Sequence, residues 1–475
     1  VAVAVQVVKA AELNREQIMH CTYHDIGFNL EHFLTEEMPW TQAFWRQEPE
    51  AGQLIGPLYP VVEDYFRYTT ENSHNMPVYN LNISACREIE LTFEKTYAML
   101  VDAVGRLLNL THDQIMEYMG REFLEKHPYF IDYARFTYRD LGSARQSIYG
   151  RFDAAFDPVT DKITGIYEFN GDTPTMLLES VAMQDHVCRE LTGESELQLN
   201  SYYPLARSLF DQLGHIPGKG AVVYDERSFE VMATSETVAQ IMGEYNDIAF
   251  ISTQAISYDF VANPTNPWHY GDQPLSVIFA LMPWEELVEA CPIAYQQWEK
   301  WCHHTTIMEP AWRWFASNKG IWAYVTHLLE NNRDFQMKHS GLPVLPTYMT
   351  PERFVGRHAY VKKPVIGRMS HNIEIFNAYD PTAIQKTEGD YGQGAVVYQQ
   401  YCPPHKVEGR GNFILGMFMC PDMATDYHTL KESTAGTMCI REFDGSILSV
   451  INERWIPHVL IEDVANYDLD EDEFL

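Results

Sequence analysis

Two short polar runs joined by a turn constrain this 475-residue chain more than any other feature. The runs are Arg151-Phe152-Asp153 and Tyr167-Glu168-Phe169-Asn170-Gly171-Asp172-Thr173-Pro174-Thr175. Residues Ser147 to Phe156 are rich in aromatic and apolar side chains. Asp157-Pro158-Val159-Thr160-Asp161 has turn chemistry, and Lys162 to Asn170 reads as the returning strand. Side chains two apart on a strand share a face, so Arg151 goes with Asp153 and Glu168 with Asn170. Opposed across the hairpin, they make an all-oxygen cluster of two carboxylates and an amide carbonyl, with a guanidinium alongside. Such donors suit Mg²⁺, which keeps waters and phosphate oxygens in its shell, and not zinc. A surface hairpin with solvated acids would show the same spacing.

Thr173-Pro174 follows directly, and then the apolar Met176, Leu177, Leu178, Val181 and Met183. Proline behind a threonine cap predicts a helix start whose free N–H groups could take an anion. The hydroxyls of Thr173 and Thr175 add donors at the same place. Metal donors followed by an anion-binding helix start suit a site that handles phosphate and carboxylate together.

These residues resemble the signature of the glutathionylspermidine synthase family: Arg-Phe-Asp, a hairpin, then Glu-Tyr-Asn-Ala-Asp-Thr/Ser-Pro/Ala-Thr/Ser. Phe169 and Gly171 stand where that family usually has Tyr and Ala. Further motifs follow in order: Pro283-Trp284-Glu285, Asn318-Lys319, Lys363-Pro364-Val365-Ile366-Gly367-Arg368, Ile440-Arg441-Glu442 and Ile456-Pro457-His458. The resemblance runs from about Tyr79 to Glu462. It implies an ATP-grasp carboxylate–amine ligase with a mixed α/β fold, using ATP and Mg²⁺ on small-molecule peptide and amine substrates. By the resemblance, Asp153, Glu168 and Asn170 hold the metal, and Lys319 and Lys363 sit on phosphates. Gln399, Gln400 and Tyr401 border the base, and Arg151 and Arg368 act on charge in the reaction. Asp172, Thr173, Thr175, Glu179 and Arg441 contact the peptide, with Arg368 in a mobile 367–372 loop that excludes water. Here Met369-Ser370-His371 is bulkier than the small residues and acid usual after the family's arginine. The same chemistry on another peptide and amine, or a nucleotide-binding protein without ligase activity, would carry many of the same motifs.

The rest of the chain reads more coarsely. Residues 1–75 match no motif: the first eight suggest an edge strand or ordered tail, and helical pieces are expected at Ala11 to His24 and Asn29 to Glu36. The expected parts are this N-terminal extension; residues 76–215 with the hairpin; 216–300, a parallel α/β layer; and 301–475, the nucleotide-binding part with an acidic tail at Asp468 to Glu473. Ser84 to Leu108 has helical apolar spacing, and the strand–helix–strand texture from Ala221 to Ser252 argues a parallel layer. Bifunctional relatives carry a cysteine amidase domain. The roughly 75 leading residues are too few for one, and no such activity is expected. Thirty-four basic against 66 acidic residues give a net charge of −32. That field repels nucleic acid and anionic membranes, and is compatible with a cationic amine. No apolar run has the length of a membrane span, and eight scattered cysteines without CxxC spacing suggest reduced thiols in a cytoplasmic protein.

Overall fold

A strand that carries Phe152 between Arg151 and Asp153 must send the ring to one side and the charges to the other. In the computed structural model, Gly150–Asp157 and Lys162–Asn170 form the expected hairpin. Arg151 lies opposite Asn170, Phe152 opposite Phe169, and Asp153 opposite Glu168. The two phenyl rings are buried 4.5 Å apart. Beneath them runs the helix Ile83–Leu108, capped by Asn82, which accepts the Ser84 N–H at 3.0 Å. Its buried Ile89, Phe93, Tyr97, Leu100 and Val104 follow 3- and 4-residue spacing. Phe93 lies 5.6 Å from Phe152 and Tyr97 5.8 Å from Phe169. Apolar packing on this face leaves the polar side chains of the hairpin on the other.

The described residues are 19–26, 75–139, 147–193, 216–225, 228–244, 246–380, 382–421, 433–449 and 452–461, with 197, 198, 200, 205, 206 and 208. The first eight residues, the helix expected at 29–36 and the acidic run at 468–473 lie outside them. The helix expected to end at His24 is corrected: His20–His24 is a strand, antiparallel to Met76–Asn82. Met76–Asn82 is buried along its whole length and bonds to a strand on each side, which outweighs local helical propensity. Its other neighbour is His458–Ile461, parallel to it.

The hairpin belongs to an antiparallel sheet that continues through Asn412–Pro421 and Ser433–Phe443 to Glu453–Trp455. Gly416 lies opposite Asp153. A Cβ there would come within 3.1 Å of Arg151 Cδ and 3.3 Å of Asp153 Oδ1, so glycine makes room for this pair. The expected parallel layer is present: Lys219–Tyr224 and Asp247–Ser252 pair in parallel, joined by the helix Phe229–Gly243. Gln273–Ala280 lies on the other side of Lys219–Tyr224, also parallel. The crevice between those two strand ends is where open α/β layers bind ligands. A further, five-stranded sheet carries Val396–Gln400 beside Tyr360–Pro364. Among the described residues no helix is long and apolar enough to cross a membrane.

One buried cation ties the hairpin to the body of the molecule. Arg313, in the short helix Trp312–Ser317, is 0% exposed. Its Nε donates to Gly171 O at 2.9 Å, Nη1 to Tyr97 Oη at 2.7 Å, and Nη2 to Tyr149 O at 2.8 Å. Its guanidinium carbon sits 4.9 Å from the centre of the Phe169 ring, and Glu309 is its ion-pair partner at 3.6 Å. Both ends of the hairpin are thus held by one side chain. Arg313→Leu should lower unfolding free energy by about 3–5 kcal/mol, because Glu309 and two carbonyls lose a buried partner. Urea denaturation measures this, and a midpoint equal to wild type would remove the clamp from the account.

Candidate active site

The polar face of the hairpin opens on a cavity of about 420 Å³. Of the residues proposed from the sequence, all but Asp172 and Glu179 line it. Asp172 is buried against Arg368, and Glu179 is buried in the π-helical turn Glu179–Met183.

Asp153 and Glu168 face each other across the hairpin, and each is matched to cations. Arg151 Nε lies 3.0 Å from Asp153 Oδ1, and Arg441 Nη2 lies 2.6 Å from Oδ2. Burial alone would raise the Asp153 pKa, but the two guanidiniums outweigh it and hold the carboxyl below its ordinary range. Glu168 behaves alike: burial pushes upward, and Lys319 (3.2 Å) with Lys363 brings it down. Lys319 Nζ also donates to Gly367 O at 2.7 Å. Lys363 Nζ donates to Gln399 Oε1 at 2.7 Å and is pushed down to about 8 by burial. Gln399 is therefore turned toward the lysine. The Gln400 and Tyr401 N–H groups bond to Pro346 O and Ala359 O, at 2.8 and 3.0 Å. At this end of the cavity Val361, Ile375 and Ile447 form an apolar slot, with Ile373 and Tyr401 packed against it.

The predicted helix start at Thr173-Pro174 is corrected. Residues 173–176 are irregular, Met176 has φ 69°, and helical backbone begins at Leu177. Side chains have taken the backbone groups that a helix would need. Asn170 Oδ1 accepts the Thr173 N–H and hydroxyl at 3.0 and 3.3 Å, while its Nδ2 donates to Thr173 O at 3.0 Å. Tyr149 Oη donates to Pro174 O at 3.2 Å, and Arg151 Nη1 to Thr175 O at 2.7 Å. The loop at 367–372 is also anchored. Arg368 reaches Asp172 and Glu285, and Asn372 Oδ1 accepts the Tyr391 N–H at 2.8 Å.

Several cavity residues were not found from the sequence. Asp225, Ser228 and Glu230 follow the strand Lys219–Tyr224, and Glu453 lies on the edge strand. Burial pushes the Glu453 carboxyl up to about 7, against the pull of Arg441. Arg441 Nη1 lies 3.4 Å from it. Arg313 was missed too, although a lone arginine between Trp312 and Trp314 is a legible sign of a buried cation.

Hard oxygen donors on facing strands fit Mg²⁺, which takes one or two carboxylates and fills its shell with water and phosphate. Among the described residues no three His, Cys, Asp or Glu side chains gather to hold a metal. That larger protein cage is not what magnesium needs.

The family model described as glutathionylspermidine synthase preATP-grasp matches residues 45–461. That is most of the chain, and the chain belongs to this family. A protein of Haemophilus influenzae provisionally named an acid–amine ligase is 24% identical over 418 residues, covering 82% of this chain and 95% of that protein. A solved structure from Methylobacillus flagellatus KT, provisionally titled a gamma-glutamylcysteine synthetase, covers 68% of this chain and 81% of its own. Its TM-score is 0.40 at 8% identity, too faint a likeness to support an argument.

Asp153 sits in a buried ion cluster, so Asp153→Asn should cost stability, about 3–5 kcal/mol, as well as remove a donor. A carboxyl whose folded pKa is depressed stabilises above its unfolded value, here 3.8, and loses that contribution as pH falls through the folded value. Acid unfolding below pH 3.8 should therefore be steeper in wild type than in Asp153→Asn. Parallel acid limbs followed by circular dichroism would contradict the ion cluster.

Proposed function

We propose, from membership of the glutathionylspermidine synthase family, that this chain is an ATP- and Mg²⁺-dependent ligase joining a peptide carboxylate to an amine. Glutathione-like and spermidine-like substrates are the pair we favour. One observation carries the reading. The facing carboxylates Asp153 and Glu168 and the lysines Lys319 and Lys363 share one cavity with the apolar slot of Val361, Ile375 and Ile447. An apolar slot suits a base, and two ammonium groups beside it suit a polyphosphate.

ATP enters as a substrate with its base in the slot. Asp153 and Glu168 would hold Mg²⁺, which supplies charge neutralisation to the phosphates when bound, and Asn170 would join them once the Thr173 hydroxyl turns away from its Oδ1. Lys319 and Lys363 neutralise the phosphate oxygens. The peptide carboxylate attacks the γ-phosphorus, the bond to the β–γ bridging oxygen breaks, and ADP leaves an acyl phosphate. Arg151, rigid between Asp153 and Thr175, stabilises the charge on the transferring group. Arg441 suits the peptide: its Nε is buried and has no hydrogen-bond partner among the described residues. The amine then attacks the acyl carbon through a neutral nitrogen, the carbon–oxygen bond to phosphate breaks, and the nitrogen's proton passes to the departing phosphate as the amide forms. Asp225, Glu230, Glu286 and Glu453 on the cavity wall favour an amine that carries positive charge. Membership of the family does not fix the acceptor, since substrate choice resides in the site and not the fold.

Phosphate release from ATP should require both a peptide and an amine, with the amide detected by mass spectrometry. Release that ignores both additions would sink the ligase reading. A pH test addresses Lys363. Its ammonium is charged below about 8 and neutral above, so phosphate binding must recapture a proton at higher pH. The Kd for ATP should rise above pH 8, by at most about tenfold per pH unit. Lys363→Met should bind weakly with no such rise. A wild-type Kd that stays flat from pH 7 to about 9.5 would take Lys363 off the phosphates.

A further inference from the structure

Arg368 stands where three parts of the fold meet. A guanidinium carries five N–H donors in a planar fork, and all five of its donors are engaged. Nη1 and Nη2 each reach an Asp172 carboxylate oxygen at 2.8 Å. Nε and the second Nη2 hydrogen reach Glu285 at 3.2 and 3.1 Å. The remaining Nη1 hydrogen points to Thr173 Oγ1 at 3.4 Å. Asp172 follows the hairpin, Glu285 opens the helix Trp284–Ala290 that leaves the parallel layer, and Arg368 follows the strand Tyr360–Pro364. Asp172 is 2% and Glu285 8% exposed, and Trp314 Nε1 donates to Glu285 at 2.9 Å. Releasing Arg368 would strand two buried carboxylates, a strongly unfavourable change. No N–H is left over for a phosphate or a substrate carboxylate.

We propose that Arg368 is a positioning residue, a latch clamped by Asp172 and Glu285 throughout turnover, which holds the hairpin, the parallel layer and the 367–372 loop around the cavity and does not bind substrate. Asp172 and Glu285 then act through Arg368 and contact neither peptide nor amine. The loop itself shows what the latch restrains. Met369 and Ser370 have φ of 50° and 56°, left-handed conformations uncommon for such residues, while Asn372, at 56°, is a residue type that adopts this region readily.

Two measurements test this, and only the kinetic one rests on the ligase reading. Amide hydrogen exchange across 367–372 is read in wild type, Arg368→Ala, Arg368→Lys, Glu285→Gln and the double Glu285→Gln/Arg368→Ala variant. Glu285→Gln and Arg368→Ala should each speed exchange about tenfold, and the double variant no more than Arg368→Ala, because the two act through one contact. Wild-type exchange should not quicken when Mg-ATP and glutathione are added. Unchanged exchange in Glu285→Gln, or a loop that loosens with those ligands, would overturn the latch. In phosphate release with glutathione and spermidine as probes, Arg368→Ala and Glu285→Gln should both lower kcat and leave the KM for glutathione within about twofold. A raised glutathione KM in Arg368→Ala with normal kinetics in Glu285→Gln would make Arg368 a substrate ligand and overturn the proposal. If wild type releases no phosphate with these probes, the ligase reading with that pair fails while the exchange result still decides the latch.

Discussion

Everything at the cavity depends on the alternation of side chains along one hairpin. Phe152 and Phe169 must meet on the face that the helix Ile83–Leu108 covers. Arg151, Asp153, Glu168 and Asn170 therefore meet on the other. A slip of one residue would bury four polar groups among aromatic rings and expose the rings, so packing energy fixes the chemistry. Arg313 then holds the two ends of the hairpin through Tyr149 O and Gly171 O. Ser317, one helical turn further, accepts the Gly171 N–H at 2.8 Å.

The charges around the cavity are arranged in compensated sets. Asp153 lies between Arg151 and Arg441, Glu168 beside Lys319, and Arg368 between Asp172 and Glu285. Such pairing keeps buried groups ionised, with fixed positions, at a desolvation cost that unpaired charges could not sustain. It also separates two kinds of cation. Lys363, bonded to two neutral oxygens (Gln399 Oε1 and, at 3.5 Å, Tyr167 O) and with a lowered pKa, is poised to gain from a phosphate. Arg368, with every donor used, has nothing to gain from one. Arg441 is intermediate, bonded on two nitrogens and, among the described residues, unpartnered on the third.

The sequence by itself determined the elements whose signal is local. The hairpin, the helix from Ile83 to Leu108 and the strand–helix–strand texture around residues 219–252 were all legible, because side-chain periodicity records which face is buried. The convergence of Lys319, Lys363 and Arg441 on the hairpin acids could be anticipated only through resemblance, since these residues lie on separate strands and helices. Tertiary structure decided the rest. His20–His24 became a strand because an all-buried neighbour bonds along it, a force no local propensity records. The helix after Thr173 starts late because Asn170, Tyr149 and Arg151 claim its carbonyls and N–H groups from outside the segment. Gln399 turned to Lys363, and Glu285 turned to Arg368, because a buried charge takes whichever partner the fold brings within reach. Sequence specifies which groups are present and on which face. Which of them neutralise one another, and which remain available to a ligand, is settled only when separate segments are packed into one low-dielectric interior.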